Sequence, residues 1–181
     1  MLNTLSSIGK ELNSKNITWA VGASLLLSTY GFISKPNDID IFIDIKDISE
    51  ADRILSKLGT KKEFEKSSTY STKFFYEYTI DNIDIDVMSG FAINHSDGIF
   101  EYIFDSKSIS NFKTINGIKI PFTSLEDWYV IYQLIPNREY KVEMIEKYLL
   151  SNKINHPELL ERSLLACLPK NVIERIKKII L

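Results

Sequence analysis

Asp38 and Asp40 stand two residues apart in the apolar run NDIDIFID, and Asp84 and Asp86 repeat that arrangement in IDNIDIDVM. On a strand, residues i and i+2 point to the same face with their side chains close together, so each run carries two carboxylates on one side. Ile39, Ile41 and Ile43 face the other way in the first run, as do Ile83, Ile85 and Val87 in the second. If the two strands are neighbours, like charges within about 5 Å repel by a few kcal/mol at intermediate dielectric, and a carboxylate must either stay protonated or meet a cation. Lys35 is the only basic residue close in sequence to the first pair. A hard, oxygen-preferring dication such as Mg²⁺ or Mn²⁺ suits this donor set better than Zn²⁺. The plainer alternative is a pair of half-exposed strands whose aspartates face water.

Gly22-Ala23-Ser24 precedes the first pair, between the apolar stretch ITWAV and the helical Leu25 to Leu27. A strand that turns into a helix through small residues leaves backbone N–H groups free, with a hydroxyl nearby, where the helix dipole favours an anion. Gly22 would let a phosphate approach the backbone, although a glycine that merely relieves packing would look the same. A phosphate cradle next to a cluster of carboxylates describes a site for a nucleoside triphosphate and its metal.

The surrounding elements follow from periodicity and turn chemistry. Leu2, Leu5, Ile8 and Leu12 predict a helix over 2–14. Residues 17–21 form a short strand, and Gly31 ends the second helix as a left-handed cap. NDIDIFID reads as a strand with one greasy side. Asp47 and Glu50 form a capping box for a helix that runs to Leu58 and closes at Gly59, and residues 61–66 suggest a further strand. TKFFYEYTI and IDIDVM pair through Asp81-Asn82, and a second hairpin turns at Asn116-Gly117. Beyond residue 122 all is helical: Thr123 and Glu126 form a capping box, Asn137 caps the next helix, Pro157 opens another, and Val172, Ile173, Ile176, Ile179 and Ile180 share one side of the last. The chain therefore reads as an α/β unit over 1–122 with a helical extension over 123–181 packed on it.

Composition sets the limits. The chain has 181 residues, 44% apolar, enough for a sizeable core, and no run approaches the roughly 18 apolar residues of a membrane span. Lys and Arg (22) nearly balance Asp and Glu (24), so no global field holds a polyanion and no bulk nucleic-acid binding is expected; the basic ERIKKII is the solvated face of a helix. The single cysteine, Cys167, excludes an intrachain disulfide, fits a cytoplasmic setting and is expected as a small buried apolar residue.

The succession VGAS, NDIDIFID and IDIDVMSGF resembles the nucleotidyltransferases of the DNA polymerase β superfamily, in the small bacterial branch that includes the antibiotic-modifying enzymes. The resemblance covers residues 17–90 and, more loosely, 117–145, where Arg138 matches the family's Arg while Tyr140 and Lys141 replace its Lys-Asp pair. It implies a polymerase-β-like α/β (α+β) fold, a mixed sheet flanked by helices with the helical extension at its C-terminus. It also implies Mg²⁺ (or Mn²⁺) on Asp38, Asp40 and Asp86, an NTP as substrate against Gly22, Ala23 and Ser24, and transfer of a nucleoside monophosphate to an unknown hydroxyl acceptor (a small molecule, protein or tRNA) with release of pyrophosphate. Asp86 is preferred as the third carboxylate because it precedes two apolar residues and a Ser89-Gly90 turn; Asp84 points the same way and could substitute. Lys35, Lys73, Arg138 and Lys141 are candidates for phosphate or acceptor contacts, or else ordinary surface charges. Trp19, Phe74, Phe75, Tyr76, Tyr78, Trp128, Tyr129 and Tyr132 are expected to pack the core rather than stack on a base, and His95 and His156 receive no role. A catalytically degenerate binding module and a phosphohydrolase using the same carboxylates are the alternative functions. Oligomeric state is not read from the sequence.

Overall fold

A computed structural model describes residues 1–63 and 67–180. The first helix, α1 (Leu2–Ser14), buries Leu5, Ile8 and Leu12 as their spacing predicts. β1 (Trp19–Val21), α2 (Ala23–Thr29) and β2 (Ile39–Ile43) follow, and Gly31, at φ +76°, takes the left-handed conformation just past α2. α3 (Ile48–Leu58) and β3 (Thr60–Lys61) lead to β4 (Phe74–Ile80) and β5 (Ile83–Ser89), joined by Asp81 and Asn82 at φ 51° and 60°, the left-handed pair that a two-residue hairpin demands. The strand expected over 61–66 is represented by β3 alone, and its last three residues lie outside the described ones. β6 (Ala92–His95) and β7 (Gly98–Glu101) form a separate small hairpin that sequence patterning did not reveal. β8 (Ile109–Ile115) and β9 (Ile118–Thr123) turn at Asn116-Gly117, and α4 (Leu125–Leu134), α5 (Glu139–Ser151), α6 (Pro157–Ser163) and α7 (Lys170–Ile180) complete the chain. None of the described helices is long and apolar enough to cross a membrane.

Seven strands form one mixed sheet in the order β3-β4-β5-β2-β1-β9-β8, in which β2 runs parallel to β5 and β1 parallel to β9. In the antiparallel β1–β2 pair, Trp19 lies opposite Ile43 and Ala20 opposite Phe42, which assigns the two faces. α1 covers the Trp19 face, with Trp19 Nε1 donating to Asn13 Oδ1 at 2.9 Å. The Phe42 face packs against Phe91, Tyr102 and Trp128, and α4 supplies the last. Beyond Asp40, β2 therefore has no solvated side: Phe42, expected to share a polar face with the aspartates, is fully buried.

Local capping departs from expectation at three helices. Asp47 does precede α3, but its carboxylate accepts the Thr18 N–H at 2.9 Å and makes no cap, and Glu50 pairs with Arg53 instead. Ser124, not Thr123, caps α4 by accepting the Asp127 N–H at 2.9 Å, because Thr123 is still in β9, where its hydroxyl donates to Val21 O. Arg138 rather than Asn137 occupies the cap position of α5. Cys167, expected inside, is exposed on the connection between α6 and α7, where its thiol approaches Asp97 O. Its flanking Leu168 is buried, so neighbours in an irregular segment face opposite ways.

The helical tail is locked to the sheet through a buried ionic network. Asp127, 2% exposed, accepts from the Tyr102 hydroxyl at 2.7 Å, while its Oδ1 has no hydrogen-bond partner and lies 3.7 Å from the Arg162 guanidinium. Arg162 also donates to Asp105 Oδ1 and Ser108 Oγ, tying α6 to the turn before β8. Burial pushes the Asp127 carboxyl up to about 6, with Tyr102 and Arg162 opposing. An acid whose folded pKa lies above its unfolded value near 3.9 contributes stability that is full below pH 4 and lost as pH rises through 6, on the order of 3 kcal/mol here. Urea unfolding of the wild type and Asp127→Asn across pH 4 to 8 is expected to show the wild type losing that much more stability over the window; parallel pH profiles would contradict it.

Candidate active site

β2 and β5 place Asp40 directly across from Asp86, and parallel neighbours in register point their side chains the same way. Asp38 precedes β2 on that face and, with Asp40 and Asp86, lines a cleft of about 240 Å³. Asp84 does not line it: it lies further out on β5, exposed, paired with Lys62 at 2.6 Å and accepting from Thr79. Burial pushes Asp40 up to about 8, and the charges of Asp38 and Asp86 add to the rise, with Lys141 and Arg138 opposing. Asp86 is pushed up to about 6, first by burial and then by Asp38, Glu77 and Asp84. The carboxylates thus repel one another inside protein, as their spacing on two strands requires.

Two cations reach the same cleft from α5. Arg138 and Lys141 both line it, whereas Lys35 and Lys73 do not. Lys141 is largely buried, donating to the Tyr132 hydroxyl at 3.3 Å, and burial together with Arg138 lowers its pKa against the pull of Asp40 and Asp38. Trp128, Tyr132 and Phe75 line the cleft, while Trp19, Tyr78 and Tyr129 are buried in the core. His95 meets Cys167 O and His156 meets Glu158, away from the carboxylates.

Tyr70 and Phe91 also line the cleft, and the sequence did not single them out. Tyr70 is carried there by an irregular segment laid beside residues 90–94: Ser71 N donates to Ala92 O, Lys73 N to Gly90 O, and Asn94 N to Thr69 O. A segment with no periodicity, positioned by contacts about 20 residues away, leaves no local signal.

Gly22, Ala23 and Ser24 meet the site differently from expectation. Gly22 N–H is committed to Asp40 O at 3.0 Å, and the place of its missing side chain is filled by the Trp128 indole, so packing accounts for this glycine. The Ser24 hydroxyl donates to Asp38 Oδ1 at 3.3 Å. α2 spans only seven residues, so its dipole is a minor part of any attraction for phosphate. Ala23 stands at φ +45°, a left-handed conformation that an L side chain adopts at a cost of about 1–2 kcal/mol.

Among the described residues no three His, Cys, Asp or Glu side chains are drawn together tightly enough to hold a metal ion as they stand. The donor chemistry of the cleft fits Mg²⁺ or Mn²⁺ all the same. It consists of hard carboxylate oxygens without thiol or imidazole, carrying mutual repulsion that a dication would relieve.

A model of the aminoglycoside-2''-adenylyltransferases matches residues 4–147. The chain belongs to this family. Among solved structures, a Thermotoga maritima protein described as a nucleotidyltransferase, TM1012, is 29% identical with a TM-score of 0.62, over 83% of this chain and 93% of that one. The adenylyltransferase ANT(2")-Ia, solved with adenylyl-2"-tobramycin, superposes with a TM-score of 0.55 at 16% identity over 98% and 95% of the two chains. The lincosamide antibiotic adenylyltransferase LnuA, solved with lincomycin, gives 0.53 at 17% over 80% and 95%. At those identities the latter two share the fold of this family member. No curated protein matches the chain.

Two substitutions test the turn. In Gly22→Ala the new Cβ would stand 2.5 Å from Trp128 Cζ2, and that ring is held by its Nε1 donating to Thr123 Oγ1 at 2.9 Å, so a loss of about 1–3 kcal/mol is expected by chemical denaturation. Ala23→Gly removes the left-handed strain but adds unfolded-state freedom worth about 0.5–1 kcal/mol and deletes a core methyl worth about 0.8 kcal/mol, so the terms nearly cancel and a change within about 1 kcal/mol is expected. A loss of about 1.5 kcal/mol or more, the sum of the two costs with nothing relieved, would show that the conformation carries no strain.

Proposed function

We propose that this chain transfers the nucleoside monophosphate of an NTP to a hydroxyl of a small-molecule acceptor and releases pyrophosphate. The observation that carries the proposal is the pairing of Asp40 with Asp86, beside Asp38, in a cleft that also receives Arg138 and Lys141. Asp38, Asp40 and Asp86 would hold Mg²⁺ or Mn²⁺, which when bound neutralises triphosphate charge and polarises the α-phosphate. Arg138 and Lys141 balance the remaining negative charge from the opposite wall, and the buried position of Lys141 makes its ammonium a fixed contact for phosphate oxygens. Ala23 and Ser24 border the same cleft and are the proposed backbone contacts of the triphosphate, with Gly22 setting their position by letting Trp128 pack beneath. The acceptor oxygen attacks the α-phosphorus in line with the pyrophosphate leaving group, and its proton passes to the Asp86 carboxylate. Water is limited by the wall of Tyr70, Phe75, Trp128 and Tyr132.

Family membership and the antibiotics bound to ANT(2")-Ia and LnuA support a small hydroxylated acceptor over a protein or a tRNA end. In this reading residues 1–122 form the nucleotidyltransferase unit and residues 123–181 the helical extension, which contributes Arg138 and Lys141 to the cleft. A degenerate binding module is the second reading, favoured by one observation: among the described residues the acidic side chains do not converge into a metal-holding group.

Incubation with each α-labelled NTP, Mg²⁺ and tobramycin or lincomycin tests both. The expected result is metal-dependent label on the acceptor with stoichiometric pyrophosphate, abolished by a chelator. Asp38→Asn, Asp40→Asn and Asp86→Asn are each expected to lower transfer about 100-fold or more, and Asp84→Asn to leave it near wild type. Transfer surviving in Asp40→Asn would refute the catalytic reading. Nucleotide-dependent thermal stabilisation without turnover of any acceptor would favour the binding module.

A further inference from the structure

A second cavity, of about 190 Å³, opens where α2 ends, between the starts of β8 and α4 and the end of α5. Its wall includes Glu126, Tyr30 and Tyr148. Glu126 is 3% exposed, and its Oε1 accepts the backbone N–H groups of Asn155 and His156, both at 3.1 Å. Among the described residues no donor reaches its Oε2, and Glu126 is part of the cavity wall. A carboxylate oxygen so deep in protein, and without a donor, favours a positive partner. The two phenol rings stand edge to face with centroids 5.4 Å apart, and Phe32 completes the cluster, 5.8 Å from Tyr30 and 5.4 Å from Tyr148. Aromatic faces carry negative charge density and attract compact organic cations.

We propose that this cavity is a second binding site, taking the ammonium group of a small organic amine between the Glu126 carboxylate and the rings of Tyr30 and Tyr148. The site stands whether or not the cleft transfers nucleotides. A hard metal ion is poorly served, since one carboxylate falls short of the six or more oxygens that Mg²⁺ or Ca²⁺ gathers. An anion would meet Glu126 directly. Burial, and next the charge of Glu126, push the Tyr30 phenol up, so its hydroxyl stays protonated beside the ligand. Lys153 also lines the cavity but is exposed, and the His156 ring is engaged by Glu158 at 3.2 Å; neither side chain is paired with Glu126 among the described residues.

The test is a titration of the isotope-labelled full chain with methylammonium chloride, followed by NMR, with sodium chloride at equal ionic strength as reference. Saturable shifts at Glu126, Tyr30 and Tyr148 are expected with methylammonium and not with sodium. Glu126→Gln keeps an amide oxygen for the Asn155 and His156 N–H groups but loses the charge, and it is expected to raise Kd at least tenfold. Asp40→Asn, altered only in the other cleft, is expected to bind as the wild type does. If Glu126→Gln does not fold, Tyr148→Leu, which removes a ring and keeps the carboxylate, is expected to weaken binding similarly. Wild-type affinity in both variants, equal shifts with sodium, no saturable binding, or loss of binding in Asp40→Asn would each overturn the proposal.

Discussion

Three half-buried carboxylates lining one cleft are an electrostatic liability, and the parallel register of β2 on β5 creates it. With Asp40 opposite Asp86, and Asp38 two residues earlier on the same face, the ladder keeps all three on one wall of the cleft. The trace of their repulsion is the displacement of Asp40 to about 8 and Asp86 to about 6, both raised first by burial and then by like charge. Arg138 and Lys141 offset part of it from the facing helix.

The rest of the fold can be understood as what keeps that register. A one-residue slip of β2 would bring Ile39 and Ile41 to the cleft and bury the aspartates against α1, which the apolar packing of Trp19, Ile41 and Ile43 forbids. On the other face, Phe42 sits among Phe91, Tyr102 and Trp128, so the strand is gripped from both sides immediately after its acidic start. Trp128 then connects this core to the turn at Gly22, where indole and backbone meet too closely for any side chain. The Asp127 and Arg162 network extends the same hold to α6.

Much of this was legible in the residues themselves. The alternation in NDIDIFID and IDIDVM predicted strands with Asp38, Asp40 and Asp86 on shared faces, and Asp81-Asn82 and Asn116-Gly117 marked hairpins because few other residues tolerate left-handed backbone there. Helical spacing found α1 and α7 in the same way. Where several polar residues compete for one local role the sequence was ambiguous: Ser124 capped α4 because Thr123 was still held in β9, and Asp47 bonded Thr18 across the sheet instead of capping its own helix. The β6–β7 hairpin was hidden because its four-residue strands are too short to show alternation. Tyr70 was hidden because its place depends on backbone bonds to a distant segment.

The choice between Asp84 and Asp86 marks the boundary between the two kinds of information. Both carry the same chemistry on the same face of one strand, so composition and period alone leave them equivalent. The pairing partner separates them, since Asp86 lies opposite Asp40 whereas Asp84 is out in solvent with Lys62. In the same way the sequence by itself determined which residues could share a face, because that follows from dihedral period and steric allowance within a few residues. Only the tertiary structure decided which faces meet, what fills the space beside Gly22, and which cations come within reach of the carboxylates. Those outcomes depend on the packing of segments far apart in the chain, whose energies no local stretch contains.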